Sequence, residues 1–275
     1  MTAKIQSKVY RFAVYAGAFF SMAVLVLIVG YILIKGIPHL SPELFAWEYN
    51  SNNVSMMPAI INTLLMTMIS LIVCVPLGIG AAIYLTEYAR RGSRLVKIVR
   101  MTAETLSGIP SIIYGLVGSL FFVVALKMGL SQISGALTLS IMVLPTIMRT
   151  TEEALLAVPD SYREGSFGLG AGRLRTTFKV VLPSAVPGIL SGVILAVGRI
   201  VGETAALINT AGTVAKIPDS LLDSTRTLAV HMYTISTEGL YINQSYATAV
   251  VLLVVVLGIN SLSAFIARRI GRRTA

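Results

Sequence analysis

Residues 149–183 read RTTEEALLAVPDSYREGSFGLGAGRLRTTFKVVLP, a charged segment lodged between two strongly apolar stretches. Helix formers dominate its first half, and three alternate glycines, Gly168, Gly170 and Gly172, follow. Asp160 and Ser161, just after Pro159, are residue types that cap helix N-termini. Glu164 falls near the first turn, where the helix dipole favours a carboxylate. Glycine either turns such a helix or lets another backbone approach it closely. The pattern fits a short amphipathic helix lying across one face of a membrane, and an ordinary solvated loop fits these residues equally well.

Outward from this segment the chain is apolar in both directions. Of its 275 residues 55% are apolar and 12% charged, with a mean hydropathy of +0.81. A soluble domain carries about 25% charged residues. Charge-free runs near the ~20 residues that cross a hydrocarbon core predict helices over 12–34, 58–85, 105–126, 133–148 and 183–211, and one inside 239–267. Helices are expected throughout, because an open strand leaves backbone groups unsatisfied in lipid. Pro145 predicts a kink in the fourth. The first run follows Lys4, Lys8 and Arg11, but it exceeds the ~7–15 apolar residues of a signal peptide and no cleavage site follows, so it reads as an uncleaved anchor. A soluble enzyme, a secreted disulfide scaffold and a disordered chain are excluded. The lone cysteine, Cys74, sits in an apolar run and reads as a small buried hydrophobe.

The net charge of +10 does not mark a nucleic-acid surface, because the cations cluster between apolar runs. With the N-terminus inside, the cytoplasmic segments hold Lys4, Lys8 and Arg11, then Arg90, Arg91, Arg94, Lys97 and Arg100. They also hold Arg149, Arg163, Arg173, Arg175 and Lys179, and finally Arg268, Arg269, Arg272 and Arg273. Only Lys35, Lys127, Lys216 and Arg226 fall outside, and Arg199 lies within the fifth run. This asymmetry places both termini in the cytoplasm. Segments 36–57 and 212–245 then face out; Trp47 and Tyr49 in the first read as an interfacial aromatic belt, and His39 and His231 lie in different outside loops.

Glu164-Gly165-Ser166, three residues, Gly170, nine residues and Val180-Val181-Leu182-Pro183 resemble the signature E-A-A-x3-G-x9-I-x-L-P of binding-protein-dependent ABC importer permeases. Glu164, Gly170, Leu182 and Pro183 match at the family spacing. Gly165 and Ser166 replace the two alanines, and Val180 replaces isoleucine. The resemblance implies an all-α type I permease fold with six transmembrane helices and a cytoplasmic coupling helix docking on an ATPase subunit. It divides the chain into an anchor helix with outside loop (1–57) and a permease core (58–275) whose coupling loop spans about 149–183. The chain has no Gly-Lys pair and hence no Walker-type phosphate loop, so ATP and magnesium belong to the partner ATPase, and no cofactor or catalytic residue is expected here.

Three further segments, Gly108–Leu116 (GIPSIIYGL), Arg149–Glu153 (RTTEE) and Gly198–Ala205 (GRIVGETA), are similar to those of the phosphate-specific importers, in particular their PstA-type permeases. That likeness implies a PstC-type permease partner, two PstB-type ATPases, a PstS-type phosphate-binding protein, and a bacterial or archaeal inner membrane. Arg199 and Glu203 stand four residues apart on one expected helix face, deep in the fifth span. An arginine there costs about 2.5–3.5 kcal/mol, so this face should point at protein or water. Two readings stay open: a neutralising pair, or a phosphate contact through Arg199 with Glu203 positioning its guanidinium fork. Arg149 belongs at the cytoplasmic mouth, paired with Glu152 or Glu153 or facing the substrate path. Ser111 opens the third span, where helix-terminal amides favour anions. Glu104 would cap that helix or pair with a basic loop residue. A sulfate or molybdate permease, a membrane-embedded enzyme and a passive anion channel are the alternatives; no acidic cluster with metal-ligand spacing supports the enzyme.

Overall fold

Each long apolar run becomes a helix, and glycine and proline decide where helices break. The computed structural model describes residues 2–90 and 92–274; Met1, Arg91 and Ala275 lie outside the described residues. The chain forms α1 (Thr2–Gly36), two short 3-10 turns, α2 (Met57–Ile83) continued by a wide π-type turn (Tyr84–Tyr88), and α3 (Arg94–Ser107). Next come α4 (Ser111–Gly118), continued by a π-type segment (Ser119–Ala125), α5 (Gln132–Leu156), α6 (Asp160–Gly168) and α7 (Arg173–Thr176). A π-type turn (Thr177–Val181) leads into α8 (Leu182–Val201), followed by α9 (Ala205–Ile208), α10 (Leu228–Thr237) and α11 (Ile242–Thr274). Among the described residues there is no strand. Five helices are long and apolar enough to cross a membrane, and a bent pair supplies a sixth span.

Helix α5 is the centre. In its span 61% of the most apolar stretch is buried, against 0% for α1 and 11% near the C-terminus. It packs on α2, α8, α4 and α3, with Leu139, Met142, Val143 and Ile147 fully enclosed. Several polar side chains in this core bond to nearby carbonyls. Thr63 and Thr67 donate to the carbonyls four residues earlier, and Ser70 and Ser140 donate across the α2–α5 seam to Ala136 and Ser70 carbonyls at 3.1 and 3.2 Å. Pro145 is accommodated within the continuous helix α5, which runs eight residues beyond the expected end at Met148.

Two expectations fail, each for a backbone reason. The third span is not continuous over 105–126: α3 and the helix beginning at Ser111 meet at 104°. Pro110 lacks an N–H and drives Ile109 out of the helical region, so the chain turns at Gly108–Pro110. Helix α3 is amphipathic and lies across the bundle end, with Val96, Val99 and Ala103 packed inward and Arg94, Lys97 and Arg100 exposed. The fifth span does not reach Ala211. It ends at Val201, Gly202 caps it, and Glu203 starts the next turn.

The outer segments are folded rather than open. Asn62 donates to the Lys216 carbonyl at 2.9 Å, the Leu228 N–H donates to Thr63 at 2.8 Å, and the Gln132 N–H donates to the Asp223 carbonyl. Tyr49 is half-buried under the Arg226 guanidinium, 4.5 Å from its ring centre, and edge-on to His231. Tyr49 thus packs against the outer segment, whereas Trp47 stays exposed.

Candidate functional site

Helix α4 packs against α9, the short turn that follows the end of α8. Arg199 occupies the last turn of α8, where the carbonyl end of the dipole favours a cation, and is half-buried. It lies within electrostatic reach of Tyr114 on α4, whose hydroxyl donates to the Leu106 carbonyl across the bend at 2.8 Å. Gly115, the next residue, admits the backbone of the turn after Glu203: a Cβ there would stand 2.7 Å from Ala206 Cα. Ser111 sits half-buried at the first position of α4, one turn ahead of Tyr114.

Arg199 and Glu203 do not share a helix face, and among the described residues no ion pair joins them. The helix has already ended between them. The Glu203 carboxylate accepts hydrogen bonds from the Thr204 and Ala206 N–H groups at 3.2 and 3.1 Å, capping α9. Neither the neutralising pair nor the positioning of Arg199 by Glu203 survives this geometry. Arg199 is left as a half-buried guanidinium with no hydrogen-bond partner among the described residues, a state suited to an anion.

Arg149 stands far along α5 toward its C-terminal end, bonded to Glu153 at 3.1 Å and lying 4.0 Å from Glu104. Glu104 therefore faces a basic residue and caps nothing. Glu152 takes a different partner, Arg100 of α3. These residues line a cleft of about 270 Å³ with Ala103, Met148 and Leu156.

The loop 149–183 folds as the helical alternative. Helix α6 has no buried residue, and Glu164, Phe167, Leu169 and Gly170 face outward, Leu169 with 91% of its surface free. Pro159 precedes the first turn, and Asp160 lies inside it rather than capping it. Gly165 looks into open space, and Ser166 bonds Thr176 at 2.9 Å, tying α6 back to α7. Gly170 takes a φ of +83°, which reverses the chain at little cost only for a residue without Cβ. Leu182 packs into the core with Ala185 and Ile189, and Pro183 sits in the first turn of α8. Those two hold the loop from behind, and the exposed face is formed by Glu164 to Gly170.

Sequence reasoning missed a long-range ion pair at this end. Arg163 grips Glu87, 76 residues away at the end of α2, with Nη2 to Oε1 at 2.7 Å. The Glu87 hydrogen bonds push the Arg163 guanidinium above even its usual basic range, so it stays charged. The available signal was Glu87 itself, an acidic residue at the end of the second apolar run.

A bundle of helices long and apolar enough to cross a membrane, with one short exposed helix protruding from it, defines the class: a multi-pass membrane protein. A family model described as "Binding-protein-dependent transport system inner membrane component" matches residues 74–275, and the chain belongs to that family. Among its relatives is the "Probable ABC transporter permease protein YqgI" of Bacillus subtilis, 34% identical over 233 residues and 79% of each chain. The "Phosphate transport system permease protein PstA" of Pasteurella multocida is 36% identical over 76% of this chain and 74% of that one. The PstA of Mycobacterium leprae is 33% identical over 74% and 67%. In fold, the bacterial alginate ABC transporter in complex with a pentasaccharide-bound periplasmic protein matches with a TM-score of 0.67 at 16% identity, covering 96% and 97% of the two chains. The methionine transporter MetNI matches at 0.60 and 19% identity, covering 87% and 96%. The chain is a multi-pass permease subunit, not an enzyme.

Proposed function

We propose that this chain is the PstA-type permease of a phosphate importer, forming half of the translocation path. The single observation that carries the anion is its 33–36% identity to phosphate permeases over most of its length. The unpaired Arg199 supports it, since a guanidinium fork matches a tetrahedral oxyanion and stays charged. In this reading phosphate passes Arg199 and the start of α4 at Ser111, then the cleft beside Arg149, and leaves at the cytoplasmic face. A PstC-type permease completes the path. A PstS-type protein delivers phosphate to the outer segments, and two PstB-type ATPases bind ATP and magnesium. Both termini and the loop 149–183 are cytoplasmic, and residues 58–275 form the permease core behind an anchor of residues 1–57. The ATPase takes the exposed face from Glu164 through Gly165, Ser166 and Gly170, with the half-buried Leu182 and Pro183 as its support. Closure of the ATPases drives the paired permeases between outward and inward states.

The test is uptake of labelled phosphate by the reconstituted complex, with sulfate and molybdate as competitors. Competition by phosphate alone is expected; equal competition by either other anion would overturn the substrate. Arg199→Lys keeps the charge but loses the fork, so uptake should fall at least about tenfold in an assembled complex. Undiminished uptake would remove Arg199 from the path.

A further inference from the structure

The apolar core does not hold helix α6: none of its residues is buried. Beside the Ser166 bond to α7, what fastens it to the central helices is one side chain. The Arg163 side chain is only 15% exposed and its partner Glu87 9%. Arg163 Nε donates to Glu87 Oε1 at 3.2 Å, and Nη2 donates to the same oxygen at 2.7 Å. Nη2 also donates to the Leu155 carbonyl at 2.9 Å, and Nη1 to the Val158 carbonyl at 2.8 Å. A last bond runs from Nη1 to Asp160 within α6, at 3.1 Å. Leu155 and Val158 mark the end of α5, where carbonyls lack helical partners and a cation is favoured. Glu87 marks the end of α2.

One guanidinium therefore fastens the protruding helix to the ends of both central helices at once. Helices α2 and α5 are the most extensively packed pair in the bundle. Only arginine offers enough donors in a rigid plane to reach a carboxylate and two carbonyls together. Lysine, a point charge, would keep the attraction to Glu87 and release the α5 carbonyls. We propose that Arg163 is the positioning residue that transmits motion of the docked helix to α2 and α5, with Glu87 as its counterpart on α2. The proposal rests on the reading of α6 as the ATPase contact. The exposed face of α6 receives the push, and the Arg163 joint makes α2 and α5 follow as one body instead of letting α6 hinge freely.

The experiment uses the whole reconstituted complex and reads the ratio of ATP hydrolysis stimulated by loaded binding protein to basal hydrolysis, at matched subunit stoichiometry. In Arg163→Lys this ratio, and phosphate uptake with it, should fall about fivefold or more, the range of a lost site-to-site coupling. Glu87→Gln, which leaves the sequence of α6 untouched, should produce the same uncoupling. A ratio and uptake within about twofold of wild type in either assembled variant would overturn the joint. Loss of the ATPase from both variants would overturn it too, because the pair would then serve docking rather than transmission. Glu164→Lys, run in parallel, separates the two levels. If it uncouples while Arg163→Lys and Glu87→Gln do not, only the joint fails; if it also has no effect, the docking reading itself fails.

Discussion

Replacing Glu203 separates a helix cap from an ion pair. One carboxylate oxygen accepts two backbone N–H groups, at 3.2 and 3.1 Å, and the residue is 9% exposed. Hydrogen bonds to a charged group contribute about 1.5–3 kcal/mol and neutral ones about 0.5–1.5 kcal/mol. Glu203→Gln keeps an acceptor in place, so it should cost about 2–3 kcal/mol, the difference between the two kinds of bond taken for both. Glu203→Ala strands two donors in a buried turn and should cost roughly 2–6 kcal/mol. In a chain of this size 1 kcal/mol moves the melting temperature by about 2–4 °C, so the glutamine variant should melt about 4–12 °C below wild type and the alanine variant at least as far below. The assay is thermal unfolding of the purified permease pair in detergent, repeated with Arg199→Gln alone and with Arg199→Gln in the Glu203→Gln background. Residues without a shared contact should add to within about 0.5 kcal/mol. If Arg199→Gln instead restores the melting temperature of Glu203→Gln, the two form a pair after all and the cap is wrong.

Three further outcomes follow from positions already described. Gly170→Ala forces a Cβ onto a φ of +83° at a cost of about 1–2 kcal/mol, so the α6–α7 reversal should loosen and stimulated ATP hydrolysis should drop, while membrane insertion measured by fractionation stays normal. A Cβ at Gly192 of α8 would land on the Thr150 hydroxyl of α5; Gly192→Ala should cost about 1–3 kcal/mol in a melt, and adding Thr150→Ala should recover most of it. His231, fully enclosed, is pushed down to about 3 by burial and then by the Arg226 charge, so the folded protein resists a proton that the unfolded chain accepts. The stability from keeping it neutral is complete above about pH 6.5 and declines as pH falls from there toward 3, by at most about 1.4 kcal/mol per unit. His231→Phe should flatten that decline in melts between pH 7 and pH 4; an unchanged slope would assign the acid sensitivity to other groups.

Five of the six spans were legible because their signal is one-dimensional: a run of apolar residues has no competitor for its place in lipid. The breaks were less so. Pro110 was in plain view, yet the charge-free run across it reads as one span, because hydropathy carries no direction and the 104° turn is a matter of backbone angle. The end of α8 was hidden for a related reason. Arg199 and Glu203 have the spacing of a helical pair, and only the preference of the Glu203 carboxylate for backbone N–H groups reveals that no helix connects them. Glu164 to Gly170 could be found by spacing within one segment. The Arg163 grip on Glu87 could not, because its partners lie 76 residues apart and meet only when α2 and α5 have packed.

Helix α1 leans on little besides α11: Tyr31 meets Tyr246 hydroxyl to hydroxyl at 3.3 Å, and Gly36 lies against Tyr246 and Val250. Those partners are 215 residues apart. At the ~5–20 residues per second of protein synthesis, α1 waits about 10–40 s in the bilayer before its neighbour is made. The uncharged perimeter of its stretch 12–34 is what makes that wait harmless. A first helix carrying a polar seam would spend the interval seeking other company, and a ribosome paused anywhere along the chain would lengthen the risk. The contact between α1 and α11 can thus form only late in synthesis, and its timing follows the tempo of translation.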